Sequence, residues 1–221
     1  MILVPFVANA DQIRVSQESA ASVGDFDANV LGFIDVFDSV LSASDYYGYN
    51  TTFAASFNDG AQDVTLVSNL SHFFFVNGAD GLSAFIVHDK PNDGAGGMAR
   101  MTLDLIGDTA SVLVQDDSGE GIISGGPNHF ETSHNWVGCC TDGFVIGALE
   151  GDWSLFAEFD SRNWTDFAGW VALGDTGGFA LTSQVNRRVR FDTVSVPEPG
   201  TLALLGIGLF GMGLARRRRK V

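Results

Sequence analysis

In Arg100-Met101-Thr102-Leu103-Asp104-Leu105 every second side chain is apolar. A strand sends successive side chains to opposite faces, so this alternation predicts a strand with one face in a core and the other in water. The pattern extends outward from there. Ala110, Val112 and Val114 alternate after a Gly107-Asp108 turn. Trp153, Leu155, Ala157 and Phe159 alternate with Ser154 and Glu158, with Phe156 interrupting the polar face. Val189 and Phe191 alternate with Arg188, Arg190 and Asp192. Residues 64–76 and 82–87 are denser apolar runs, which suit central strands covered on both faces. Asn77-Gly78, Asp80-Gly81, Asn92-Asp93-Gly94, Asp142-Gly143 and Gly174-Asp175 supply turn chemistry between them. Many strands joined by Gly/Asp turns predict a mainly β chain, with a single β-sandwich of jelly-roll-like winding over residues 11–195. One segment dissents. Phe26, Val30, Phe33, Ile34, Phe37 and Leu41 recur at helical spacings, while Gly32 and β-branched neighbours weaken a helix, so helix and hairpin both stay open.

The chain has 221 residues, with 27 acidic side chains against 12 basic ones and a net charge of −15. Such a surface repels a phosphate backbone and excludes nucleic acid as a partner class. Apolar residues make up 45% of the chain, enough for a packed core rather than wholesale disorder. Two cysteines exclude a multi-bridge scaffold and a four-cysteine zinc site.

The two ends differ from the body. Residues 1–10, MILVPFVANA, finish in Ala8-Asn9-Ala10, the small-residue pattern that signal peptidase cleaves. With about seven apolar residues and no basic start, they read as a partial signal peptide whose true start codon lies upstream; a short N-terminal strand is the alternative. At the other end, Pro197-Glu198-Pro199 cannot be helical and presents an extended segment. Thr201 to Ala215 are free of charge and predict a transmembrane helix about 22 Å long. That is short for a bilayer core, but the flanking arginines can snorkel. Arg216, Arg217, Arg218, Arg219 and Lys220 follow and orient the span with its basic tail in the cytoplasm.

In this order, the Pro-Glu-Pro segment, the short apolar span and the basic tail resemble the PEP-CTERM sorting signal over residues 196–221, with Gly200 where serine is usual. The resemblance implies an exosortase-type membrane enzyme as partner, in Gram-negative bacteria that export polysaccharide. It also implies cleavage near Pro197-Glu198-Pro199 and loss of the span and tail. The chain is then exported across the inner membrane, held in that membrane as a precursor by its C-terminus, and delivered to the cell surface or extracellular matrix. Without both ends the body keeps seven basic residues against 27 acidic ones. At about −20 it would meet anionic polymers only through a bridging divalent cation.

Several constellations in the body could carry chemistry. Cys139 and Cys140 are neighbours, and an exported chain sits in an oxidising compartment. A vicinal bridge, two free thiols and bridges to another chain are all open; the first would make a rigid turn with Trp136 beside it as a ligand platform. Asp89, Asn92 and Asp93 in one loop and Asp116, Asp117 and Glu120 in another offer oxygen ligands for calcium, without EF-hand spacing. Solvated turn residues are the plainer account. His129 and Glu131 fall on one strand face near His134, without the HExxH spacing of a zinc protease. Trp136, Trp153, Trp164, Trp170, Tyr46, Tyr47 and Tyr49 could stack on sugar rings or fill the core. Residues 121–126 place Ser124 one position late for a nucleophile elbow. The expectation is therefore a non-enzymatic structural or polysaccharide-associated module, with a secreted hydrolase on the same scaffold as the alternative.

Overall fold

A computed structural model describes residues 12–20, 22–48, 57, 64–116, 122–164, 166–182 and 184–194. Residues 64–69 of the dense runs lie outside any strand, whereas the alternating segments and residues 70–76 and 82–87 become strands. In chain order these are β1 (Gln12–Gln17), β2 (Val30–Asp35), β3 (Phe37–Asp38), β4 (Leu70–Gly78), β5 (Gly81–His88), β6 (Gly97–Ile106) and β7 (Ser111–Gln115). They continue as β8 (Ile122–Gly125), β9 (His129–Trp136), β10 (Asp142–Leu149), β11 (Ser154–Trp164), β12 (Gly169–Gly174), β13 (Gly177–Ala180) and β14 (Val189–Thr193). The helical content is one short helix, α1 (Ala43–Tyr47), and a single 3-10 turn, Asp27–Asn29, among the described residues.

The strands form two large sheets. The first runs β2-β1-β14-β11-β6-β9-β8 and the second β13-β12-β4-β5-β10-β7, with β3 also on β4. Neighbours are antiparallel except at β4, which takes β12 and β3 as parallel neighbours. The sheets face each other across one core. Ile13, Leu103, Leu155 and Phe191 from the first sheet meet Phe73, Phe75, Ile86 and Phe144 from the second. Phe73 and Phe191 stack at 4.3 Å between ring centroids, so the sandwich is closed by aromatic contact as well as by area burial.

The dense runs have the predicted cause. On β4 and β5 the side chains that point away from the sandwich, Phe74, Val76, Phe85 and Val87, are buried in a second core with Phe57, Val64, Leu66, Tyr46 and Tyr47. The helix α1 is too short to stand alone. Ser42 caps its start by accepting the Asp45 N–H, Gly48 ends it at φ +67°, and its tyrosines pack on Phe85.

The helical stripe of residues 26–41 is neither a helix nor a hairpin: β2 pairs with β1 in the first sheet, and β3 with β4 in the second. Its apolar positions serve different surfaces: Ile34 enters the sandwich core, Phe33 is exposed, and Phe37 crosses to the second core. Gly32 is needed here, with φ +153° and the Phe179 ring 2.4 Å from where a Cβ would lie.

Register fixes the two ends of the sandwich. Ile13 at the start of β1 pairs with Thr193 at the end of β14. Ser154, Ile106 and His129 lie at that same end. The opposite end gathers the connections 89–96, 137–141 and 165–168.

Candidate functional site

The end opposite the chain's exit holds the densest chemistry. Here β9 of the first sheet passes to β10 of the second through residues 137–141. Cys139 and Cys140 are bridged, with Cα atoms 3.7 Å apart, so the free-thiol and intermolecular readings fall away. The turn is sewn to the β5–β6 connection: Asn92 N–H donates to Cys139 O at 2.9 Å and Gly94 N–H to Gly138 O at 3.0 Å. The approach is so close that a Cβ on Gly138 would lie 2.7 Å from the Gly94 backbone. The Trp136 platform is a correction. Its ring is buried flat on His88, 5.5 Å between centroids, and its Nε1–H donates to Asp89 Oδ2 at 3.2 Å. Trp136 anchors the turn from beneath and is closed to a ligand.

Under the turn lies a buried polar cluster that no linear pattern announced. His134 Nδ1 sits 2.9 Å from Asp142 Oδ1, and the carboxylate also accepts the N–H groups of Asn135 and Gly143. The His134 ring lies flat on Phe144, and its Nε2 has no hydrogen-bond partner among the described residues. His88 stands 5.4 Å away, with Nδ1 2.7 Å from Ser71 Oγ. Burial, with the neighbouring His134 and His72, pushes His88 well below the ordinary histidine range. It is therefore uncharged at neutral pH. The serine and the aspartate serve different imidazoles, and all four side chains are closed to solvent. The cluster holds the two sheets together and does not assemble a relay.

The calcium candidates are divided by the fold. Asp89 is buried, with Oδ1 accepting Asn69 N–H at 2.8 Å and Oδ2 accepting Trp136. Burial raises its carboxyl. Asn92 is at φ +62° with its N–H on Cys139, and Asp93 accepts Ala95 N–H. Asp116 belongs to the second core, where it accepts the Tyr47 hydroxyl at 2.6 Å. Asp117 and Glu120 lie outside the described residues. Among the described residues no group of three His, Cys, Asp or Glu could hold a metal ion. His129 and Glu131 point outward, with His129 on Asp104, while His134 points inward.

The outer face of the first sheet is open. Its β6, β8, β9 and β11 surround a depression of about 510 Å³ lined by Arg100, Ser124, Glu131, Ser133, Asp160 and Ser161. Thr102 donates to Asp160, and Arg188 bridges to Asp104. Phe156, the residue that broke the polar alternation, lies against Phe26 and beneath the Arg188 guanidinium. The aromatic sugar platform is a second correction: Trp136, Trp153, Trp170, Tyr46 and Tyr47 are buried. The side chain of Trp164 and residue Tyr49 lie outside the described part.

Residues 1–10 and the sorting region, Pro197-Glu198-Pro199, the span 201–215 and the tail 216–220, also lie outside the described residues. No helix among the described residues is long and apolar enough to cross a membrane. A family model for the PEP-CTERM protein-sorting motif matches residues 195–220. No curated protein and no solved structure matches the chain. The motif implies export, an exosortase-type processing partner and a precursor anchored at its C-terminus.

Proposed function

We propose that this chain is a surface or extracellular-matrix protein whose delivered part is a non-enzymatic, jelly-roll-like sandwich associated with exopolysaccharide. The observation that carries the reading is the sorting motif at residues 195–220, which begins directly after the last strand ends at Thr193. In the precursor, Pro197, Glu198 and Pro199 form the processing region, residues 201–215 the membrane span, and residues 216–220 the cytoplasmic tail. Signal peptidase removes the N-terminal leader.

Two features of the body support association rather than catalysis. Its buried ionisable groups are spent on structural bonds, His134 on Asp142 between the sheets, Asp89 on Asn69 and Trp136, and Asp116 on Tyr47 in the second core. Its open face offers hydroxyls and charges, Arg100, Ser124, Ser133 and Ser161, around a shallow depression where sugar hydroxyls could hydrogen-bond. The hydrolase alternative would use Glu131 and Asp160 in that same depression. Intact mass of the native protein, taken from the cell surface and the medium, tests the reading. A mass that ends near Pro199, with the bridge intact, is expected. A full-length mass with residues 201–221 present would overturn the processing reading. A glycan array with and without EDTA tests the body, and absence of binding in both conditions would remove the polysaccharide role.

A further inference from the structure

We propose that the end of the sandwich where the chain leaves β14 is the surface on which the membrane-bound processing enzyme docks. This rests on the sorting reading above and adds a contact surface to it. The tether between body and processing region is short. Thr193 is fixed in the first sheet: its N–H donates to Trp153 O at 3.2 Å, its Oγ1 accepts the Trp153 N–H at 3.1 Å, and it pairs with Ile13. Only residues 194–196 separate it from Pro197. At roughly 3.3 Å per residue, Pro197 stands at most about 13 Å from Thr193. An enzyme that closes on residues 197–199 must come that close to the end of the sandwich.

The apolar span starts at Thr201, eight residues past Thr193. Fully extended, that is about 26 Å, so the body stays near the membrane until it is released. Charge selects the enzyme over the lipid as the contact. Asp38, Asp80, Asp108, Glu150, Asp152 and Asp175 border this end, its connections 79–80, 107–110, 126–128, 150–153 and 175–176 contain no Lys, Arg or His, and Arg14 and His129 beside it are paired with Asp192 and Asp104. An anionic bilayer repels such a rim, whereas a basic collar on a protein attracts and orients it. Asp80 and Asp108 have structural duties, on the N–H groups of Ala43 and Glu150. Glu150, Asp152 and Asp175 are exposed, with side chains making no hydrogen bond or ion pair to the described residues. They are free for a partner.

The test follows conversion of precursor to mature protein in the producing cell by pulse labelling. It compares the full chain, the combined Glu150→Gln, Asp152→Asn and Asp175→Asn variant, and both again with a flexible Gly/Ser linker of about 15 residues inserted after Val194, about 20 Å of mean reach. Without the linker, the combined variant is expected to convert several-fold more slowly, because rim charges act mainly on encounter and orientation. With the linker, the two chains are expected to convert at the same rate. Unchanged or faster conversion of the combined variant without the linker overturns the docking surface. A wild-type precursor that is never converted overturns the sorting reading instead. Should the combined variant lose its melting transition, the three single variants replace it, each expected to slow conversion by about twofold.

Discussion

The two sheets share strand chemistry but not surroundings. On the first, Arg14, Thr102, Glu158 and Arg190 occupy the outer face. On the second, the corresponding face buries Phe74, Phe85, Val87 and Val145 beneath α1 and Phe57. One sheet separates a core from water, and the other separates two cores. The lesson is that the same β pairing tolerates very different substitution. The largest expected effect therefore comes from the covered face. Phe85 stacks on Phe74 at 5.1 Å and meets Tyr46 at 5.5 Å. Phe85→Ala should lose about 3–5 kcal/mol of stability. Phe156→Ala, which loses one edge contact with Phe26 and the Arg188 guanidinium, should lose only about 1 kcal/mol. Denaturant midpoints of the two variants measure the difference, and equal losses would break the comparison.

Polar groups on the two outer faces should differ in the same direction. The Tyr47 hydroxyl donates to buried Asp116 at 2.6 Å, and Thr102 donates to exposed Asp160 at 2.8 Å. Tyr47→Phe withdraws a donor from a carboxylate inside the second core, and should cost about 1–3 kcal/mol. Thr102→Val leaves a carboxylate that water can reach, and should stay within about 0.5 kcal/mol. Thermal melts of both variants check this. A large loss at Thr102 would mean that the open face is covered in the native assembly.

This contrast also explains what could be read in advance. Met101, Leu103 and Leu105 alternate because β6 has water on one side, and residues 70–76 and 82–87 lack alternation because β4 and β5 have a core on both sides. Both signals are local. Residues 26–41 misled because Ile34, Phe33 and Phe37 answer to three different surfaces, so their spacing mimicked a helical stripe. The sorting region was legible because it is a linear signal: Pro197, Glu198, Pro199 and the residues after them are recognised in sequence order. The cluster under the disulfide turn was not legible. His88 and His134 are 46 positions apart and meet only when the sheets close, and no spacing rule relates them. The fate of the tryptophans was equally hidden, since Trp136 reads the same whether it faces a sugar or covers His88.

Two histidines make the comparison sensitive to pH, with opposite signs. His88, inside the sandwich, is held well below the ordinary value of 6.5 by burial, with His134 and His72 adding to it. Ser71 and, through His134, Asp142 are the other polar groups facing it. As pH falls below about 6.5 the unfolded chain takes up a proton that folded His88 resists, so stability is full above that value and lost below it. His129, on the open face, is raised by its hydrogen bond to Asp104, with Glu131 helping. Its contribution is full below about 6.5 and is lost as pH rises through the raised value. Carboxylates titrate as well, so the readout is the difference from wild type. His88→Gln should flatten the fall in melting temperature between about pH 6.5 and 5, and His129→Gln the fall above about pH 6.5. If both variants flatten the same limb, the assignment of one histidine to the interior and one to the open face is wrong.

A small and local effect is expected where the two sheets are joined. The Cys139–Cys140 bridge closes a ring between adjacent residues, on a turn that carries the chain from β9 to β10. By the chain-entropy account so short a ring contributes only about 1 kcal/mol. The turn is also held without it, by Trp136 on Asp89 and His88, by Asp142 on His134, and by the backbone bonds from Asn92 and Gly94. Reduction by a dithiol should therefore lower the melting temperature by about 2–4 °C at most. Its effect should be local instead. Amide hydrogen exchange should quicken at residues 137–141 and at Asn92 and Gly94, whose partners are Cys139 and Gly138, and stay unchanged at Phe73, Phe75 and Leu103 in the shared core. Faster exchange throughout both sheets would show instead that the bridge, and not the buried histidine cluster, is what couples the open sheet to the covered one.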